Sequence, residues 1–211
     1  MEQTKIFTKP ESFTYSDGVP DDIIEKAAEH YGNFLTSLGH DWKNDVNMQD
    51  TPRRVAKSFV NDLWAGLYQE EPNITSFENS GHYDGMVFCG NITLNSVCSH
   101  HALPFIGVAH VAYIPAADGK IIGLSKLNRI VEYYSRRPQV QENLTTEIHK
   151  CLDNIITSNE GVAVVLEAKH LCSCVRGVKH DSTMMTSKIS GQFNASSATR
   201  EEFYDFINRL K

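Results

Sequence analysis

The chain has 211 residues, 41% of them hydrophobic, enough to bury a core as one large domain or two small ones packed together. Its 26 acidic against 20 basic residues leave a net charge of −6, which argues against nucleic-acid binding and requires any anionic ligand to find a locally basic pocket. Cys89, Cys98, Cys151, Cys172 and Cys174 are an odd number in a chain too large to need staples, and neither an apolar leader nor a membrane-length run occurs, so the sequence reads as a soluble, cytoplasmic protein with reduced thiols and no membrane partner.

In chain order, residues 1–20 are polar and broken by Pro10, Gly18 and Pro20, which predicts a loose arm. Ile24, Ala27, Ala28, Tyr31, Phe34, Leu35 and Leu38 recur at steps of three and four, the period of a helix. Thr51 followed by Pro52 reads as N-cap and first helical position of a second helix that carries Val55, Phe59, Leu63 and Leu67. Residues 70–82 read as loop. From Met86 the texture turns to strands, MVFCGNITLNSV and PFIGVAHVAYIP, with Ala116-Ala117-Asp118-Gly119 as a turn to Ile121-Ile122. Gly123-Leu124-Ser125 opens a helix that Arg136-Arg137-Pro138 ends, and another helix follows from Val140. GVAVVLEAKHLCSC and DSTMMTSKISGQF read as antiparallel strands, and Thr199-x-x-Glu202 as a capping box before a last helix. These elements predict an α+β chain: an arm over 1–20, a helical region over 21–83 and a strand–helix–strand body over 84–211.

The chemistry concentrates in two segments. Cys98-Ser99-His100-His101 sets a thiol and two imidazoles at the end of one strand, and alternation along a second strand puts His170 and Cys172 on its core face with Val162, Val164, Leu166 and Ala168. Cys98, His101 and Cys172 are three donors of the kind zinc prefers, with no evident fourth, which is the pattern of a catalytic site that keeps one position for water. Cys174, roughly 6.5–7 Å farther along an extended strand, is the rival fourth ligand that would close the site into a structural one. His100 and His170, if not ligands, are proton carriers near neutral pH.

Ser125, Lys126 and Arg129 put a hydroxyl and two cations on the first turns of a helix, where exposed amides already favour phosphate. Arg176, Arg54 and Lys57 can join them. Gln141 and Glu142 open the next helix, and the Glu142 carboxylate, with two acceptor oxygens, matches the N1–H and amino group of a guanine ring.

These segments in this order, with TPRRVAK at 51–57, IGLSKLNRIVEYYSRRPQVQENLT at 122–145, HLCSCVRGV at 170–178 and TREEF at 199–203, resemble GTP cyclohydrolase I from about residue 20 onward. The resemblance implies a tunnelling fold (T-fold), in which an antiparallel sheet carries helices on one face and the sheets of several subunits join into a barrel. It implies one Zn2+ per subunit on Cys98, His101 and Cys172, with His100, His170 and Ser125 as proton-handling residues. It implies GTP as substrate, with the base on Gln141 and Glu142 and the triphosphate side on Ser125, Lys126, Arg129 and Arg176. Arg54 and Lys57 match basic positions that approach from a neighbouring subunit of a homodecamer of two pentamers. The family usually carries glutamate where this chain has Ser99, which removes a carboxylate beside the metal. A non-enzymatic zinc or thiol-switch module would explain the cysteines but not Glu142, Ser125 or Lys126, and a T-fold enzyme for another purine or pterin is the nearer alternative.

Overall fold

The computed structural model describes Val19 and residues 21–210; the expected arm over 1–20 lies outside them apart from Val19. The chain separates into two compact units, Met1–Glu70 and Glu71–Lys211. No helix among the described residues is long and apolar enough to cross a membrane.

The first unit is helical. Helix α1 (Asp21–Ser37) buries Ile24 and Ala28 against Ala56 and Val60. Helix α2 (Thr51–Ser58) starts one residue earlier than the sequence suggested, with Asp50 at the N-cap and Pro52 in its first turn. The single helix expected through Leu67 is interrupted. Phe59–Leu63 widens into a π-turn, and a short α3 (Ala65–Tyr68) follows. A π-turn brings residues five apart onto one face, and the Phe59 and Trp64 rings meet edge-on at 4.9 Å.

The second unit is built on a five-stranded sheet of order β5-β2-β3-β6-β7, formed by β2 (Val87–Cys98), β3 (Pro104–Pro115), β5 (Pro138–Gln139), β6 (Asn159–His170) and β7 (Thr183–Ile189). Every pairing is antiparallel except that of β5 with β2, confined to Val97↔Pro138 and Cys98↔Gln139. Within the stretch expected to be loop, β1 (Ser76–Glu78) pairs with β4 (Lys120–Ile122). Three residues are too few for alternation to show, so only the partner reveals the strand.

Helices α4 (Leu124–Ser135) and α5 (Gln141–Ile155) cover one face. Leu127, Ile130 and Val131 of α4 and Leu144, Ile148 and Leu152 of α5 pack on Leu94, Phe105, Val111, Val164 and Leu166. Fully buried side chains of this size contribute about 1.5–3 kcal/mol each. The opposite face is not bare: Ala112, Ile114, Ala163 and Val165 lie under Phe193, Phe203 and Ile207 from α7 (Gln192–Ala195) and α8 (Ser197–Asn208). The last helix begins a turn earlier than the Thr199 box implied, because Ser196 is the N-cap and its Oγ accepts from the Thr199 N–H at 3.2 Å.

Strand β6 stops at His170. Leu171–Cys174 is a single helical turn, α6, so Cys172 and Cys174 do not continue the strand's alternation as the sequence suggested. The turn redirects the chain toward the hairpin that returns as β7.

Candidate metal centre

Cys98 is the last residue of β2, and the turn after it is closed by its own backbone. Its N–H donates to the Leu103 carbonyl at 2.9 Å and its carbonyl accepts from the Ala102 N–H at 2.9 Å. Ala102 takes a positive φ of 54° to complete this loop, a conformation that costs an alanine roughly 1 kcal/mol. The adjacent Ser99 N–H donates to the Gln139 carbonyl at 3.0 Å, which ties the loop to β5. The Gln139 side chain, 5% exposed, donates in turn to the Tyr134 carbonyl at 3.0 Å and the Glu147 carboxylate at 2.9 Å. One buried amide therefore clamps the turn against α4 and α5.

Across the sheet, the helical turn after β6 brings Cys172 to the same place. The donor atoms of Cys98, His101 and Cys172 all lie within 4.8 Å of one another. Burial pushes the Cys172 thiol up, and hydrogen bonding and repulsion from Cys98 add to this, while Arg176 draws it down. A divalent cation held between the two sulfurs takes the place of their protons. Cys174, the rival ligand, is outside this group. Nearby, Lys169 pairs with Asp181 at 2.9 Å.

Both remaining histidines adjoin the group. His100 Nδ1 lies 3.6 Å from Cys98 Sγ. His170 stacks on Phe105, rings 4.5 Å apart and 8° from parallel, and its Nε2 lies 2.7 Å from Gln141 Oε1. Burial lowers the His170 pKa, and the Glu142 carboxylate opposes the shift. Phe105, Gln139, Thr145 and Thr186, which hold these groups, carried no sequence signal, because a packing phenylalanine and polar residues in helices and strands are ordinary.

Of the cations, Arg176 lies near enough to act on the Cys172 thiol, and the others lie elsewhere. Gln139, beside Cys98, follows the C-terminal end of α4, whereas Ser125, Lys126 and Arg129 lie toward its N-terminal end, roughly 10–15 Å of helix away at 1.5 Å per residue. Ser125 and Arg129 are exposed, and Lys126 donates to the Asn73 carbonyl at 3.2 Å. Arg176 stands exposed beyond α6. Arg54 and Lys57 belong to α2 of the first unit, where Arg54 pairs with Asp50 at 3.1 Å.

The family model described as GTP cyclohydrolase I matches residues 27–208. The chain is 45% identical to the GTP cyclohydrolase 1 of Flavobacterium johnsoniae, over 90% of this chain and 84% of that protein. It is 48% identical to the GTP cyclohydrolase 1 of a Sulfurihydrogenibium species, over 84% and 91%. It is 45% identical to the GTP cyclohydrolase 1 of Chlorobium chlorochromatii, over 94% and 86%.

Proposed function

The chain belongs to the GTP cyclohydrolase I family, and we infer that it opens the imidazole ring of GTP at C8, releases formate and rearranges the ribose to give 7,8-dihydroneopterin triphosphate. The observation that carries this reading is the convergence of Cys98, His101 and Cys172 with a histidine on either side. The donor set fits zinc: two thiols and an imidazole suit that ion, and three protein ligands leave a position open. Zinc held there supplies a Lewis acid and lowers the pKa of a water toward about 7.

The chain's own residues do the rest. His170 gives a proton to guanine N7 as the ring opens, and His100 with Ser125 handles the protons of ribose isomerisation and reclosure. Glu142, exposed on the first turn of α5, accepts from the guanine N1–H and amino group, donors that an amide could not match as well. Lys126, Arg129 and Arg176 take the triphosphate. Ser99 leaves the neighbourhood of the metal without the usual carboxylate, so proton handling falls on the imidazoles.

The distance between the two ends of α4 supports a site shared between copies: one copy's metal turn faces the α4 N-terminus of another, and Arg54 and Lys57 approach from a further neighbour. The open strand edges support the same assembly. Strand β2 is covered by β5 only at Val97 and Cys98, and among the described residues the outer edge of β7 has no partner strand. A groove of about 510 Å³, lined by Cys89, Asn95, Asn128 and Arg136 among others, runs between β2 and α4. Joining β2 of one copy to β7 of the next removes both edges and closes a barrel, in a decamer of two pentamers. Incubation with GTP and zinc, followed by assays for formate and for a fluorescent pterin after oxidation, tests the activity. Absence of both products from a metal-loaded, assembled protein refutes it.

A further inference from the structure

We infer that Gln141 is a positioning residue acting through His170: its side-chain oxygen keeps a hydrogen on Nε2 of the imidazole and leaves Nδ1 as the nitrogen that exchanges protons with the substrate. The inference rests on the GTP cyclohydrolase reading above, and it gives Gln141 a different task from the guanine contact implied by the family resemblance.

Gln141 is 1% exposed, so a nucleobase does not reach its amide. The orientation of that amide follows from its neighbours. The nitrogen end faces the Leu166 carbonyl at 3.2 Å, the Met184 carbonyl at 3.1 Å and Thr186 Oγ1 at 3.1 Å. Backbone carbonyls only accept, so the NH2 group belongs there and a flipped amide would set oxygen against oxygen. The threonines give the same answer independently. Thr145 donates its hydroxyl hydrogen to the Gln141 main-chain carbonyl at 2.8 Å, so in the 2.6 Å contact between Thr145 and Thr186 Thr186 is the donor. The Thr186 oxygen is then free to accept from the Gln141 amide, and the ring of three hydrogen bonds closes in one direction.

With the nitrogen end assigned, the group 2.7 Å from His170 Nε2 is the amide oxygen. An amide oxygen only accepts, so Nε2 carries a hydrogen. That holds for the neutral ring and for the imidazolium alike, and proton traffic is therefore confined to Nδ1. Stacking on Phe105 fixes the plane of the ring, and the Gln141 bond fixes which edge faces the helix. Gln141 is thus joined at one end to β6, β7 and Thr186 and at the other to the histidine immediately before α6, a cross-brace that selects a tautomer.

Gln141→Leu in the full-length, assembled enzyme removes the acceptor and keeps most of the volume. The expected result is a loss of about 10²-fold in kcat, within the range of general acid–base catalysis, with KM for GTP held within about twofold. Nitrogen-15 spectra of histidine-labelled protein, with the His170 signals assigned by difference from His170→Gln, should show Nε2–H in the wild type and loss of that preference in Gln141→Leu. A raised KM with unchanged kcat overturns the inference and returns Gln141 to the substrate. Unchanged kcat and spectrum together reduce it to packing, which overturns it as well. Where the leucine variant does not fold, the wild-type spectrum decides, since an Nδ1–H tautomer at His170 is incompatible with the inference. A wild-type protein that does not turn over GTP defeats the functional reading separately, because the tautomer is read without activity.

Discussion

At the Gln139 end of α4 the donor atoms of Cys98, His101 and Cys172 lie within 4.8 Å and the neighbouring His170 is both stacked and hydrogen-bonded. At the Leu124 end, Ser125 and Arg129 stand exposed and Lys126 reaches only a backbone oxygen. Under the proposed function, the contrast follows from what each end would have to do. Metal ligation and proton transfer tolerate errors of only a few tenths of an ångström; the Cys98 turn and the His170 ring are held by buried partners, while the His101 side chain is exposed. A triphosphate is held by charge at longer range, and cations can wait in solvent for the ligand and, in the reading above, for another copy of the chain.

The largest effects are expected at the locked end. Cys98→Ala, His101→Ala and Cys172→Ala should each abolish stoichiometric zinc, by elemental analysis, and turnover with it, whereas Cys174→Ala should retain both. A Cys174 variant that binds no metal would dissolve the contrast by making the site four-coordinate and structural.

Glu142→Gln comes next. It turns one acceptor into a donor facing the donors of guanine, at about 1–3 kcal/mol for each group left unpaired, and kcat/KM should fall accordingly. An unchanged kcat/KM places Glu142 outside the pocket.

The open end can be tested by mixing. Lys126→Ala and Cys98→Ala are each expected to be nearly inactive, but co-assembled in equal amounts they should recover activity at about a quarter of the sites, those combining an intact metal turn from one copy with an intact α4 from another. Failure to recover in a mixed assembly verified by mass spectrometry would put the whole site in one chain.

The smallest effect concerns stability and pH. His149 is 4% exposed, with Nε2 3.0 Å from Ser190 Oγ. Burial holds its pKa below the usual histidine value, Asp153 and the Val162 backbone oppose this, and Lys188 reinforces it. Unfolded histidine titrates near about 6.5, so below that pH the unfolded chain binds the extra proton first. The stabilisation is full above about pH 6.5, declines as pH falls and is lost through the lower folded pKa. Melting temperatures across this window should slope downward toward acid in the wild type and flatten in His149→Gln. Identical slopes would show that other groups govern the acid limb.

How far each region could be read in advance follows from the range of the signal. The Cys98–His101 spacing and the thiol at 172 are local features, and the structure brings them together although the strand expected to carry Cys172 ends at His170. The π-turn at Phe59–Leu63 escaped because the apolar spacing of an α-helix and that of a helix with one widened turn differ by a single residue. By the family resemblance Gln141 would hold the base together with Glu142. Its burial depends on Leu166, Met184 and Thr186, which are 25 to 45 residues away in the chain.

By itself the sequence determined the order of the main helices and strands, since side-chain period is a local property, and it determined the chemistry of the metal group, since donor type is intrinsic to the residue. Tertiary structure alone decided which of these residues meet. Pairing of β2, β3 and β6 brings the residue 98 turn to the residue 172 turn, the length of α4 keeps Lys126 away from both, and the buried amide of Gln141 is oriented by carbonyls from two strands. Such relations depend on strand register and on the satisfaction of buried polar groups, which couple positions far apart in the chain.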